Sequence, residues 1–145
     1  MSGFLLDTNV LSEFNRRGEP DPLVYQWLEA ADPESLYVSV LTFGEIRLGV
    51  ELLPPSKRRS KLEQWLEQDL PEWFEGRILP IDQSIADRWG SIRAQAQMKG
   101  RPLSVIDALL AATALRHNLI LVSRNVSDFS VVGLAIINPW EAQTP

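Results

Sequence analysis

The chain has 145 residues, 45% apolar and 23% charged, with a formal net charge of −5, which suits one globular domain over residues 1–145. It has no cysteine and a single histidine, His117, which excludes disulfides, cysteine-based zinc sites and multi-histidine metal sites. The acidic balance also argues against a protein that coats nucleic acid by charge alone.

The short apolar run at the N-terminus ends at Asp7 and lacks the basic flank of a signal peptide. No stretch is apolar for long enough to cross a bilayer, so a soluble cytoplasmic protein is expected. Phe4-Leu5-Leu6 reads as a buried strand, followed by a helix from Thr8 to about Arg16. Asp21-Pro22 open a second helix with Leu23, Trp27 and Leu28 at helical spacing, and Asp32-Pro33 end it. Leu36 to Val40 is β-branched and aromatic, a strand. Thr42-Phe43-Gly44-Glu45 matches a capping box, predicting a helix from there to about Leu53.

Pro54-Pro55 break that helix, and Ser56 onward is a charged amphipathic helix interrupted near Pro71. Ile78 to Ile81 is a short strand whose Pro80 favours a sheet edge. Asp82 caps a long helix to about Lys99, closed by Gly100. Ser104 to Asp107 forms a second box-like cap, on a helix rich in Ala and Leu that ends near His117-Asn118. Leu119 to Val122 and Leu134 to Ile137 are the last two strands. Strands alternating with helices predict an α/β three-layer sandwich, a mostly parallel five-stranded sheet with helices on both faces.

In such a sheet, ligands bind beyond the carboxyl ends of the strands. Asp7 ends the first strand, Glu45 follows the second, and Ser123, Arg124, Asn125 and Asp128 follow the strand Leu119 to Val122. Asp107 opens the helix leading into that strand and is expected at the same edge. Each acid also reads as a cap: Asp7 on the first helix, Glu45 and Asp107 as box partners of Thr42 and Ser104. Three carboxylates set among apolar runs are costly if buried together, and each raises the pKa of the others. A divalent cation offsets both costs, and all-oxygen donors favour Mg²⁺, with Mn²⁺ as a substitute, over Zn²⁺.

The basic run Lys57-Arg58-Arg59 with Lys61 reads as a solvated helix face or as RNA-phosphate contacts. Arg47, two residues after Glu45, and Arg124, beside Asn125, are either phosphate clamps or ion-pair partners. Among five tryptophans, Trp27 and Trp65 are expected in the core, and Trp73-Phe74 to be packed or partly exposed as a groove for a partner helix.

The segments LLDTNVLSE (5–13), SVLTFGEIRLGVELL (39–53), GRILPID (76–82), VIDALLAATALRHNLILVSRNVSDF (105–129) and INPW (137–140), in that order, resemble the PIN-domain ribonucleases, specifically the VapC/FitB toxins of type II toxin–antitoxin pairs. The resemblance implies a PIN-like fold and a metal-dependent endoribonuclease with Asp7, Glu45 and Asp107 as its acidic triad. It further implies hydrolysis to a 5′-phosphate and a 3′-hydroxyl. Asp7 and Asp107 would be direct metal ligands, and Glu45 would bind through water or orient the nucleophile, with Thr8, Asn9 and Ser123 in support. Many relatives carry an acid where this chain has Asn125, so Asp128 is the first candidate for the auxiliary acid and Asn125 the second. The implied partners are RNA, a small antitoxin of ribbon-helix-helix or AbrB-like type, and a second copy in a homodimer. The alternatives are a housekeeping RNA-processing nuclease, a haloacid-dehalogenase-type phosphatase, or an inactive PIN-like binding module. The phosphatase requires an acid where Asn9 stands, and the intact triad argues against the inactive module.

Overall fold

The structure, a computed structural model, describes residues 3–15 and 18–142. Strands β1 (Gly3–Leu6), β2 (Leu36–Ser39), β3 (Ile78–Leu79), β4 (Leu119–Val122) and β5 (Ile136–Ile137) form one sheet in the order β3-β2-β1-β4-β5. Every pairing is parallel. The chain runs outward from β1 to β3, then returns to the other side of β1 to lay down β4 and β5. That reversal puts the topological switch point between β1 and β4, where Leu6 pairs with Val122.

Alternation along the strands sends side chains to two separate cores. Leu5, Leu119 and Leu121 face α6 (Gln83–Met98) and α7 (Val105–Arg116), packing with Ile85, Ile92 and the small residues Ala108, Ala111 and Ala112. Leu6, Val38 and Val122 face the opposite layer. That layer contains α1 (Thr8–Ser12), α2 (Pro22–Ala30), α3 (Val40–Glu51), α4 (Lys57–Gln64) and α5 (Leu70–Trp73). A last short helix, α8 (Val126–Phe129), follows β4. The three-layer α/β sandwich read from the alternation is the fold observed.

Several local expectations change. The helix after Asp7 closes at Ser12 and tightens into a 3₁₀ turn over Glu13–Asn15; its expected end at Arg16 lies outside the described residues. Helix α3 starts at Val40, not after Thr42, because the Ser39 hydroxyl accepts the Leu41 amide at 3.1 Å and caps it. Thr42 therefore lies inside the helix, fully buried, and Glu45 is no capping-box partner. Pro71 does not break the charged helix either. The turn Trp65–Asp69 widens to a π turn, with Leu70 N–H donating to the Trp65 carbonyl, and this gives the proline ring room. The strand expected over Leu134 to Ile137 is reduced to Ile136–Ile137 at one edge, and the one expected over Ile78 to Ile81 to Ile78–Leu79 at the other.

Trp65 is buried, and Trp27 packs edge-to-face on Phe4 with ring centroids 5.0 Å apart. The Trp73-Phe74 pair divides: Phe74 is buried and Trp73 is 52% exposed.

Candidate active site

The switch point is closed by a pair of bonds between the two central strand ends. Asp7 N–H donates to the Val122 carbonyl at 2.9 Å, and the Ser123 hydroxyl donates to Asp7 Oδ2 at 2.8 Å. Asp7 Oδ1 accepts the Thr8 amide at 2.7 Å, so the carboxylate also caps α1. The cap and the candidate ligand are one residue with both roles. Ser123 is fully buried, and its oxygen also accepts the Asn125 amide, at 3.0 Å, which sets the loop after β4.

Glu45 enters from α3, one turn beyond Thr42. The Thr8 hydroxyl lies 2.6 Å from Glu45 Oε1 and 3.2 Å from Thr42 Oγ1. It has one proton, which goes to the carboxylate, so the Thr42 hydroxyl donates to Thr8. Thr42 is thus a supporting residue, although its sequence signal suggested a cap.

Asp107 arrives from a helix with no strand directly before it. Helix α7 runs into β4 through a tight turn, with Asn118 left-handed at φ 54°, so the helix begins at the edge where β4 ends. The Ser104 hydroxyl accepts the Asp107 amide at 3.1 Å and caps α7 there.

Asp7, Thr8, Asn9, Glu45, Asp107, Arg124 and Asn125 together line one open cleft of about 470 Å³. Burial lifts the Asp7 carboxyl above its ordinary range; the Ser123 and Thr8 hydrogen bonds oppose this, and the charges of Glu45 and Asp107 add to it. Asp107 is lifted as well, first by burial and then by Asp128 and Glu45, against a side-chain hydrogen bond from Ser104 to its carboxylate. Asp128 lines an adjoining hollow that shares Asp107, whereas Asn125 lines the main cleft itself. The carboxylates meet around one open space rather than in a cage. Among the described residues no three His, Cys, Asp or Glu side chains are grouped to hold an ion as they stand.

Three residues that no sequence signal marks also line the cleft: Ser12, Glu13 and Trp140. Glu13 is buried, and its Oε1 accepts the Asp21 amide at 2.9 Å. Trp140 lies under Arg124, whose guanidinium carbon is 5.1 Å from the indole centroid, and the Asn138 side chain accepts the Trp140 amide at 2.9 Å. The segments ending LSE and INPW contain the latter two residues, but nothing in their spacing separates a cleft residue from a packing one.

The expected basic contacts separate. Arg124 lines the cleft with no ion-pair partner among the described residues. Arg47 points away and pairs with Glu67 at 2.9 Å. Arg59 is engaged by Glu51, by Glu63 at 2.8 Å and by the Leu53 carbonyl at 2.9 Å. Of these three ion pairs, Arg59–Glu63 has the i, i+4 spacing that favours it within a helix, and the other two join neighbouring helical segments. Lys57 and Arg58 stay free of ion pairs among the described residues, on a recess next to the cleft.

Comparison with known proteins places this geometry in a family. The profile described as PIN domain matches residues 4–133. The chain is 39% identical over 137 residues to the VapC ribonuclease Y4jK of Sinorhizobium fredii, spanning 94% of this chain and 97% of that one. It is 40% identical over 136 residues to the toxin FitB of Neisseria gonorrhoeae, with the same coverage of 94% and 97%. Its fold superposes on a chain in the structure of FitAB bound to an IR36 DNA fragment with a TM-score of 0.91 at 37% identity, covering 97% of this chain and 98% of the other.

Proposed function

The chain belongs to the PIN-domain family as a ribonuclease toxin of the VapC/FitB kind, and we propose that it hydrolyses RNA phosphodiester bonds in the cleft of Asp7, Glu45 and Asp107 with a divalent cation. The observation that carries this reading is the convergence on one cleft of three acids from separate elements, two of them with lifted pKa values. Carboxyls packed in this way lack a counter-charge, and the buried Oδ1 of Asn9, in the same lining, has no hydrogen-bond partner. Hard oxygen donors with a charge deficit fit Mg²⁺, or Mn²⁺ in its place.

Asp7, Glu45 and Asp107 would hold the ion, with Asn125 and Asp128 as the auxiliary donors. Bound there, it would lower the pKa of a water and screen the charge that builds on phosphorus. The protein's own groups do the rest. Ser123 and Thr8 fix the Asp7 carboxylate, and Thr8 holds Glu45 where it can orient the attacking water. Arg124, kept in place by the Trp140 face, meets the phosphate as it enters. Attack in line breaks the bond from phosphorus to the 3′-oxygen, leaving a 3′-hydroxyl on one fragment and a 5′-phosphate on the other. His117 takes no part: it is at the far end of the sheet, in a small hollow with Gly3 and Tyr37.

The partner that holds such a toxin in check is a small antitoxin, and the FitAB assembly on DNA supports a complex of the same kind for this chain. Among the described residues no helix is long and apolar enough to cross a membrane. A cytoplasmic site of action, a homodimer, and a ribbon-helix-helix or AbrB-like antitoxin remain parts of the proposal.

The test is direct. Asp7→Asn and Asp107→Asn should each abolish cleavage of single-stranded RNA while circular dichroism reports an intact fold. The unaltered protein should lose activity in excess EDTA and regain it with Mg²⁺ or Mn²⁺. Full activity in EDTA would refute the metal-dependent reading.

A further inference from the structure

Helix α4 begins with Lys57, Arg58 and Arg59 and has no acid in its first turn. Cations at a helix N-terminus oppose the macrodipole, so this placement works against the stability of the helix. Arg59 is neutralised by Glu51 and Glu63, but Lys57, Arg58 and Lys61 have no ion-pair partner among the described residues. In a chain of net charge −5, three uncompensated cations within five residues form a local exception. They line an open recess of about 400 Å³ with Asn15 and Phe14, an aromatic ring left 40% exposed.

The recess is continuous with the acidic cleft. Asn15 and Arg58 also line a groove of about 330 Å³ that reaches Thr8, Ser12 and Glu45, and those three belong to the acidic cleft as well. At the junction, Asn15 Nδ2 is buried without an acceptor. The surface therefore runs from the acids, along the rim formed by Thr8, Ser12 and Asn15, to a ring flanked by cations. A strand cut at the acids has to leave the cleft on some side, and this side offers a stacking face and phosphate contacts together.

We propose that the recess of Phe14, Lys57, Arg58 and Lys61 is a track for the single-stranded RNA leaving the acidic cleft. Phe14 stacks on a base, and the three cations contact the phosphates on either side of it. Stacking of this kind is tolerant of sequence, so the track supplies affinity for strand length rather than for a particular base. The assignment rests on the nuclease reading of the cleft but is tested apart from it.

The experiment uses the full chain free of antitoxin and a cleavage-resistant phosphorothioate single strand as the binding probe, in a long and a tetranucleotide version. Cleavage of the corresponding RNA is measured in parallel. For the Lys57→Ala, Arg58→Ala, Lys61→Ala triple variant, Kd and KM for the long strand should rise about tenfold or more, with kcat and the tetranucleotide values unchanged. Phe14→Leu should raise the same two quantities about fivefold. Lys57→Glu should weaken binding of the long strand while leaving Tm unchanged or higher, since it relieves the opposed dipole; a merely structural lysine would lower both. Long-strand binding unchanged in the triple variant overturns the track, and loss of antitoxin binding instead would reassign the surface to a protein partner. If the unaltered chain cleaves no RNA, the nuclease reading fails, and the binding comparison still decides whether the recess holds a nucleic-acid strand.

Discussion

Asp7 carries its charge where the fold disfavours it: 6% exposed, at the junction of two strands, with Glu45 and Asp107 across the cleft. Its carboxyl is lifted by burial, so the folded chain keeps a proton that the unfolded chain releases near the ordinary value of 3.8. The sign follows from that difference. The favourable contribution is complete below the ordinary value and is lost as pH rises through the lifted one. Asp107 acts in the same direction. In EDTA, the urea midpoint of the unaltered protein should therefore fall as pH rises from about 4 toward neutrality. Asp7→Asn should flatten that fall and raise the midpoint at neutral pH, and Mg²⁺ should stabilise the unaltered protein more than the variant. A midpoint independent of pH in the unaltered protein would contradict the burial argument. At this scale the sequence yielded the three acids because each interrupts an apolar run at a predicted strand or helix end. It did not yield Thr42, Glu13 or Trp140. Thr42 carried a cap signal that Ser39 outcompetes, and Glu13 and Trp140 reach the cleft through turns whose path no periodicity records.

Elements start and stop here through short-range hydrogen bonds, and the two cap candidates for α3 can be told apart. Ser39 is fully buried and accepts the Leu41 amide; Thr42, three residues later, bonds across to α1 instead. Ser39→Ala should cost about 1 kcal/mol, or roughly 3 °C in Tm for a chain of this size, with little effect on cleavage beyond that. Thr42→Val keeps the side-chain shape and removes only the bond to Thr8, so it should cost less stability and more activity, because Glu45 loses its anchored neighbour. The reverse ranking in thermal melts would restore the capping box at Thr42. Two plausible caps three residues apart leave the helix legible in the sequence but not its first residue. Pro71 is a similar case. Its missing N–H and bulky ring are a true local signal, but buried Trp65, Leu66 and Leu70 hold the helix together around it by widening a turn. Packing of that kind involves partners far away in the chain, so a local rule does not register it.

The whole molecule was legible as a sandwich because apolar strands and amphipathic helices alternate, and that alternation has few other solutions. The strand order was less accessible. Whether Asp107 meets Asp7 depends on β4 returning beside β1 rather than extending the far edge, and the only local hint was the tight passage from α7 into β4. The same global view governs how RNA is held. With a net charge of −5, the protein repels a polyanion except where cations are left unpaired on the cleft side. Among the described residues those are Arg124, Arg101, Lys57, Arg58 and Lys61, since Arg47 and Arg59 are consumed by glutamates. Each phosphate contact on a single strand releases less than one counterion, so the logarithm of Kd for a long strand should rise with the logarithm of salt at a slope of about 3.5 at most. The triple substitution on α4 should reduce that slope to about 1.4, the remainder belonging to Arg124 and Arg101. A measured slope well above about 5 would mean that cations outside this set engage the RNA.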